Sequence, residues 1–160
     1  MVSIRKYKNN DLHQSAVLIS KTFRAFNHKD NPQAVSEEYA AAYDPAVNLK
    51  AIRKRFDQTS AFFVAEDKGR IIGVLRAVEN RIVNLFVDGR FHRKGIGKKL
   101  IRRYESDCRK QGYRNIVLRS QLYAVGFYEA CGYKKTTGIR NKFGLKIQPM
   151  KKHLTAGRSG

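Results

Sequence analysis

The amino-acid sequence predicts an α/β (α+β) fold in one domain, a mixed and mostly antiparallel central sheet flanked by helices. Two features lead to it. Between residues 60 and 87 an apolar stretch and a turn alternate three times, which reads as three successive antiparallel strands. A basic amphipathic helix, Ile96 to Lys110, then feeds almost directly into an apolar strand, Asn115 to Arg119. A helix followed at once by a strand implies a crossover back into the sheet, hence one parallel neighbour. At 160 residues the chain has the length of a single domain, long enough to bury roughly two thirds of its unfolded surface.

Taken in order, Val2 to Tyr7 alternates and reads as a first strand near an edge of the sheet. Asn9-Asn10-Asp11 offers helix caps, and Leu12, Ser15/Ala16, Ile19 and Phe23/Phe26 recur at helical spacing, so a first helix ends near Asn27. Residues 28–33 form a turn, and Pro32 opens a second helix through Tyr43. Asp44-Pro45 breaks the chain before a third helical piece, Ala46 to Phe56. Phe23, Phe26, Tyr39 and Tyr43 are the aromatic side chains of this layer that can wall a small-molecule cleft.

The three strands follow: Ser60 to Glu66, a hairpin turn at Asp67-Lys68-Gly69-Arg70, Ile71 to Val78, a turn at Glu79-Asn80, and Arg81 to Val87. In the long helix, Leu100, Ile101, Tyr104 and Cys108 share one face. Gly112 closes it. After the strand Asn115 to Arg119, Ser120 caps a last helix through Ala130, Cys131-Gly132-Tyr133 turns into a strand, and Gly144 to Met150 supplies the final one. The residues from Arg140 to Lys146 read as a loop. The domain is expected over 1–154, with a flexible tail at 155–160.

Charge is uneven. Residues 1–60 carry ten basic and six acidic side chains, a net +4, whereas 61–160 carry 23 and seven, a net +16 of the total +20. Such a field favours an anionic partner, whether nucleic acid, acidic protein, membrane surface or phosphorylated cofactor. Cys108 and Cys131 form neither a secreted-style disulfide framework nor a metal-ligand cluster, so no metal site is expected. No apolar run approaches the roughly 18 residues of a membrane span, and no signal-peptide pattern opens the chain. A soluble, cytoplasmic protein is the expectation.

The chemistry concentrates where the strand Arg81 to Val87 delivers the chain into His92-Arg93-Lys94-Gly95-Ile96-Gly97 at the mouth of the long helix. The first N–H groups of a helix have no intrahelical partner and form a ready anion site. Gly95 and Gly97 let an anion approach the backbone, and Arg93, Lys94, Lys98 and Lys99 add positive charge. Leu100 stands where the dinucleotide pattern needs a third glycine, and the Gly-x-x-x-x-Gly-Lys-Ser/Thr loop is missing, so neither a Rossmann site nor an ATPase loop is supported.

This turn, followed thirty residues on by Ala124-Val125-Gly126-Phe127-Tyr128-Glu129-Ala130-Cys131-Gly132-Tyr133, resembles the GCN5-related N-acetyltransferase superfamily. The resemblance runs from the first strand to Met150 and is strongest over Asn80 to Tyr133. It implies that His92, Arg93, Lys94, Gly95, Ile96, Gly97, Lys98 and Lys99 bind the pyrophosphate of acetyl-coenzyme A. It implies a bulge in the strand Arg81 to Val87, with Leu85, Phe86 and Val87 free to bind the pantetheine arm and the thioester carbonyl. Phe127 and Gln121 belong to the same cofactor site, and Tyr128 lies near the cofactor sulfur. Two positions depart from the family pattern: His92 stands for the usual Gln or Arg, and Gln121 for an Asn.

Acyl transfer to an amine needs a neutral amine, stabilisation of the carbonyl oxygen and a proton for the departing thiolate. The backbone N–H groups of Phe86 and Val87 are the candidates for the oxygen, and Tyr128 is the candidate acid. No carboxylate occupies the strand Arg81 to Val87, so Asn84 is assigned to position a water, with Tyr39, Tyr43 or Glu38 at the opening. The expected acceptor is a primary amine of a small molecule or a protein, and the terminal strand is a candidate homodimer contact. The competing class, resting on charge alone, is a non-enzymatic module binding nucleic acid or an acidic protein on the same fold.

Overall fold

The computed structural model describes residues 1–27 and 29–155. His28 of the expected turn and the tail residues 156–160 lie outside the described residues. The chain folds as β1 (Ser3–Lys6), α1 (Leu12–Phe26), α2 (Gln33–Ala42), α3 (Pro45–Asp57), β2 (Ala61–Asp67), β3 (Arg70–Val78), β4 (Arg81–Val87), α4 (Ile96–Lys110), β5 (Asn115–Gln121), α5 (Val125–Ala130), β6 (Lys134–Lys135), β7 (Arg140–Lys142) and β8 (Leu145–His153). One sheet joins them in the order β1-β2-β3-β4-β5-β8-β6, with β7 paired to β8. All pairings are antiparallel except β4 with β5, the crossover that α4 makes. The mixed, mostly antiparallel sheet is therefore as expected.

Each face of the sheet buries its own core. Leu100, Ile101, Tyr104 and Cys108 of α4 pack on Phe63, Leu75, Ile82 and Ile116, with Tyr128 and Tyr133 joining from the α5 end. On the other face Ile19 and Phe23 of α1, Ala40 of α2 and Ile52 of α3 cover Val64, Val74 and Phe86. Strand alternation explains most of this division, and a β-bulge explains the rest. Ile82 faces Ala77 and Asn84 faces Arg76, so Val83 is the extra residue in β4. The bulge reverses the alternation. Ile82 belongs to the α4 core, whereas Phe86, four residues on and with the bulge between, belongs to the α1 core.

Two expectations are corrected. Ser120 does not cap a helix: β5 pairs with β8 through Gln121, and the Ser120 hydroxyl donates to the Gln121 carbonyl at 2.7 Å. The helix begins only at Val125, after a 3₁₀ turn at Leu122–Ala124. The stretch read as a loop holds β7, which forms a hairpin with β8.

The β7–β8 turn is made by Phe143 and Gly144, both left-handed at φ 52° and 83°. That is a two-residue hairpin geometry that favours Asn-Gly, and a phenylalanine in it is strained by about 1 kcal/mol. The Phe143 side chain is 89% exposed and contributes little packing. Phe143→Asn is expected to stabilise the protein by about 0.5–1 kcal/mol, a rise of roughly 1–4 °C in Tm, read by thermal denaturation.

Candidate active site

β4 and β5 pair only at Arg81 with Val117 and Ile82 with Leu118. Beyond the bulge they splay, and a cleft of about 800 Å³ opens between Leu85–Val87 on one side and Ala124, Phe127 and Tyr128 on the other. Its end is closed by the turn into α4, with Phe91, His92, Arg93 and Gly95 through Lys98 in the lining.

The amides that face this cleft follow from the ladder. Asp88 N donates to Ile72 O at 2.8 Å, and the register Gly73 with Val87 and Val74 with Phe86 continues from that bond. In an antiparallel pair the bonded residues alternate, so Phe86 directs its N–H at β3, and Leu85 and Val87 turn theirs to the splayed side. The candidates for the carbonyl oxygen are thereby corrected from the amides of Phe86 and Val87 to those of Leu85 and Val87, although Phe86 still lines the cleft.

The turn is built from two left-handed residues, Arg93 at φ 63° and Gly95 at φ 77°. Lys99 N donates to Gly95 O at 3.1 Å as the first bond of α4, so the amides of Ile96, Gly97 and Lys98 precede any intrahelical partner. Gly97 has a packing reason as well: a Cβ there would lie 2.9 Å from Cζ of Phe127. His92 fixes the turn to the strand, its Nε2–H donating to Val87 O at 2.7 Å. Lys94 sits with its ammonium 5.4 Å from the Phe91 ring centroid. Lys94 and Lys99 are exposed and, unlike Arg93 and Lys98, are not in the cleft lining.

Tyr128 is 7% exposed at the cleft wall, its ring in edge contact with Phe127 and Tyr133. Burial, then the nearby Tyr123 and Cys131, hold its phenol well above the usual tyrosine value, so it is firmly protonated. Thr22, Phe26 and Tyr123 complete the lining. Phe26 was legible as a cleft aromatic, whereas Thr22 and Tyr123 carried no signal beyond their place on the elements.

A second pocket, about 410 Å³, lies on the α2 side of the splay. Tyr39, Tyr43, Glu38, Val83 and Gln121 line it. Gln121 is thus corrected from the cofactor cleft to this pocket, because β5 continues through it and turns its side chain to the face of Arg119. Its side-chain oxygen is buried without a hydrogen-bond partner among the described residues.

Asn84 is 2% exposed and lines neither pocket. Its Oδ1 accepts from Arg76 Nε at 2.7 Å, and its Nδ2 donates to the Tyr39 hydroxyl at 3.1 Å. The expectation of a water-holding Asn84 is corrected to a buried positioning residue. Arg76, 6% exposed, also donates to the Tyr43 hydroxyl at 3.1 Å and to Thr59 Oγ1 at 3.2 Å. Burial pushes the Tyr43 phenol up, but the Arg76 charge together with Asn84 and Arg55 outweighs it and holds the group below its ordinary value. Tyr39, buried and next to Tyr43, is pushed up.

Comparison with known proteins bears on this arrangement. N-acetyltransferase 8 of Homo sapiens is 33% identical over 93 residues, which are 50% of this chain and 41% of that protein. The matched stretch is thus about two fifths of the relative's length. The GCN5-related N-acetyltransferase structure from Rhodopseudomonas palustris superposes with a TM-score of 0.84 at 19% identity, covering 95% of each chain. The PaiA N-acetyltransferase of Thermoplasma acidophilum, solved in complex with coenzyme A, gives 0.73 at 20% identity over 96% of this chain and 99% of that one. The family model described as acetyltransferase (GNAT) domain matches residues 30–154, which contain the bulged strand, the glycine turn and the tyrosine of α5. The chain belongs to the GNAT acetyltransferase family.

Proposed function

We propose that the protein is an acetyl-coenzyme A-dependent N-acetyltransferase acting on a primary amine. The observation that carries this reading is the junction of two features in one cleft: unpaired amides at the mouth of α4 and a splayed strand with its own free amides 85 and 87. Family membership and the coenzyme A complex of the PaiA enzyme support it.

Bound acetyl-coenzyme A would supply an acetyl group activated as a thioester. The amides of Ile96, Gly97 and Lys98, with Arg93 and Lys98 beside them, would hold the diphosphate. Leu85 and Val87 donate to the arm and to the carbonyl oxygen as it gains charge. The neutral amine enters from the second pocket. A nitrogen–carbon bond would form as the carbon–sulfur bond broke, with the Tyr128 hydroxyl donating a hydrogen bond to the departing sulfur and the amine's proton leaving to water.

Isothermal titration of the purified protein with acetyl-coenzyme A should give saturable binding. Gly97→Val puts side-chain carbon into the Phe127 ring and crowds the cradle, and a loss of about tenfold to a hundredfold in affinity is expected, with the far-UV circular dichroism unchanged. No heat from folded wild-type protein would overturn the reading.

A further inference from the structure

The second pocket carries a charge arrangement that the fold does not use. Cross-strand partners share a face of the sheet. Arg81 faces Val117, so it shares a face with Arg119 two residues along β5. Gln121, two further along, faces Ile147, which faces Arg140, and Leu145 faces Lys142. Arg81, Arg119 and Lys142 therefore come from three separate strands to one face, and all three line the same pocket of about 410 Å³. Glu38 is the one acidic residue in that lining. Among the described residues none of the three cations is in an ion pair.

Three like charges around a single acid, with which none of them forms an ion pair among the described residues, oppose one another. Burial, and after it the charges of Arg119 and Arg81, hold the Lys142 ammonium below its ordinary value. In the β7–β8 hairpin the buried side chains are Leu145 and Ile147, and the Lys142 ammonium meets the exposed Phe143 ring at 5.8 Å from its centroid. An anion in the pocket relieves the repulsion and uses all three donors at once. The pocket also lies where an acceptor must enter: Val83 lines it, and Leu85, two residues on, lines the cofactor cleft.

We propose that the acceptor is an amine that carries an anionic group, a carboxylate or a phosphate, held between Arg81, Arg119 and Lys142 with its nitrogen directed along β4 towards Leu85. This deepens the acetyltransferase reading and rests on it. The charged end enters the open pocket and the amine end points inward, so the anion orients the nucleophile.

The test uses one amine scaffold in three forms: β-alaninamide, β-alanine and 2-aminoethylphosphonate. Release of coenzyme A from acetyl-coenzyme A is measured with wild type and with the double variant Arg119→Gln/Lys142→Gln, whose positions are exposed. The expected result is a kcat/KM about tenfold to a hundredfold higher for an anionic form than for the amide in wild type, lost in the double variant. The amide rate and the affinity for acetyl-coenzyme A should be unchanged by the substitutions. A preference between the carboxylate and phosphonate forms identifies which anion the site takes. Equal use of the three forms by wild type, or equal losses on all three in the variant, would overturn the proposal. The acetyltransferase reading fails separately, where acetyl-coenzyme A does not bind; if it binds and no form is acetylated, the subsite is read from binding alone. Titration of the anionic forms into coenzyme A-saturated protein then decides the subsite: binding lost in the variant supports it, and no binding overturns it.

Discussion

Tyr128→Phe should lower kcat by about 10²–10⁴-fold while acetyl-coenzyme A binds with nearly wild-type affinity. The substitution removes one oxygen from a ring whose packing against Phe127 and Tyr133 remains, so the fold has little reason to respond. The loss falls on the departing sulfur, which must leave without a hydrogen-bond donor. Because burial raises the Tyr128 phenol far above a thiol's ordinary value of about 8.5, full transfer of its proton to the thiolate is uphill. Hydrogen bonding to the developing negative charge is the favoured role.

That direction of shift has a sign that can be measured. A phenol raised above about 10 stays neutral throughout the range in which the amine is losing its proton. The rate should therefore climb with pH as free amine accumulates and should not fall between pH 8 and 10 through loss of the Tyr128 proton. A second readout separates chemistry from packing. With an acetyl thioester whose thiol is more acidic, the leaving group needs less help, and the deficit of the Tyr128→Phe enzyme should shrink. An equal deficit on both thioesters would sink the assignment.

The parts of this molecule that were legible in the sequence are those whose signal is local. Gly95 and Gly97 at a helix mouth, and the apolar face of Leu100, Ile101, Tyr104 and Cys108, each announce themselves within one element. Ser120 misled because a serine before a helical stretch is a good cap, and only pairing with β8 reveals that it lies in a strand. β7 is Arg-Asn-Lys, with no apolar alternation to mark it. The bulge at Val83 carries no residue signature, yet it decides which side chains of β4 reach the α2 face and which amides are free. The cationic pocket is the extreme case. Arg81, Arg119 and Lys142 are separated by dozens of residues, and only the strand registers bring them together.

Asn84→Leu should cost about 2–4 kcal/mol of folding stability, because it strips a buried guanidinium of its shortest hydrogen bond. Among the described residues no carboxylate pairs with Arg76. Its charge is met by the oxygens of Asn84, Tyr43, Thr59 and Arg55 and by the Phe56 ring face, 5.4 Å from the guanidinium carbon. Leucine shares the branched outline of asparagine but accepts no hydrogen bond, so the cation stays buried with one donor unmet. In an Arg76→Met background the same substitution removes an acceptor that no longer has a charged partner, and its cost should fall by about 1–3 kcal/mol. Urea denaturation of the four proteins closes the cycle. The result also discriminates between two roles for Asn84. If it held a catalytic water, Asn84→Leu would leave the denaturation midpoint in place and lower kcat alone. A buried tether does the reverse: it moves the midpoint first, and affects turnover through Tyr39 and Tyr43, the two phenols that the Asn84–Arg76 pair holds at the edge of the second pocket.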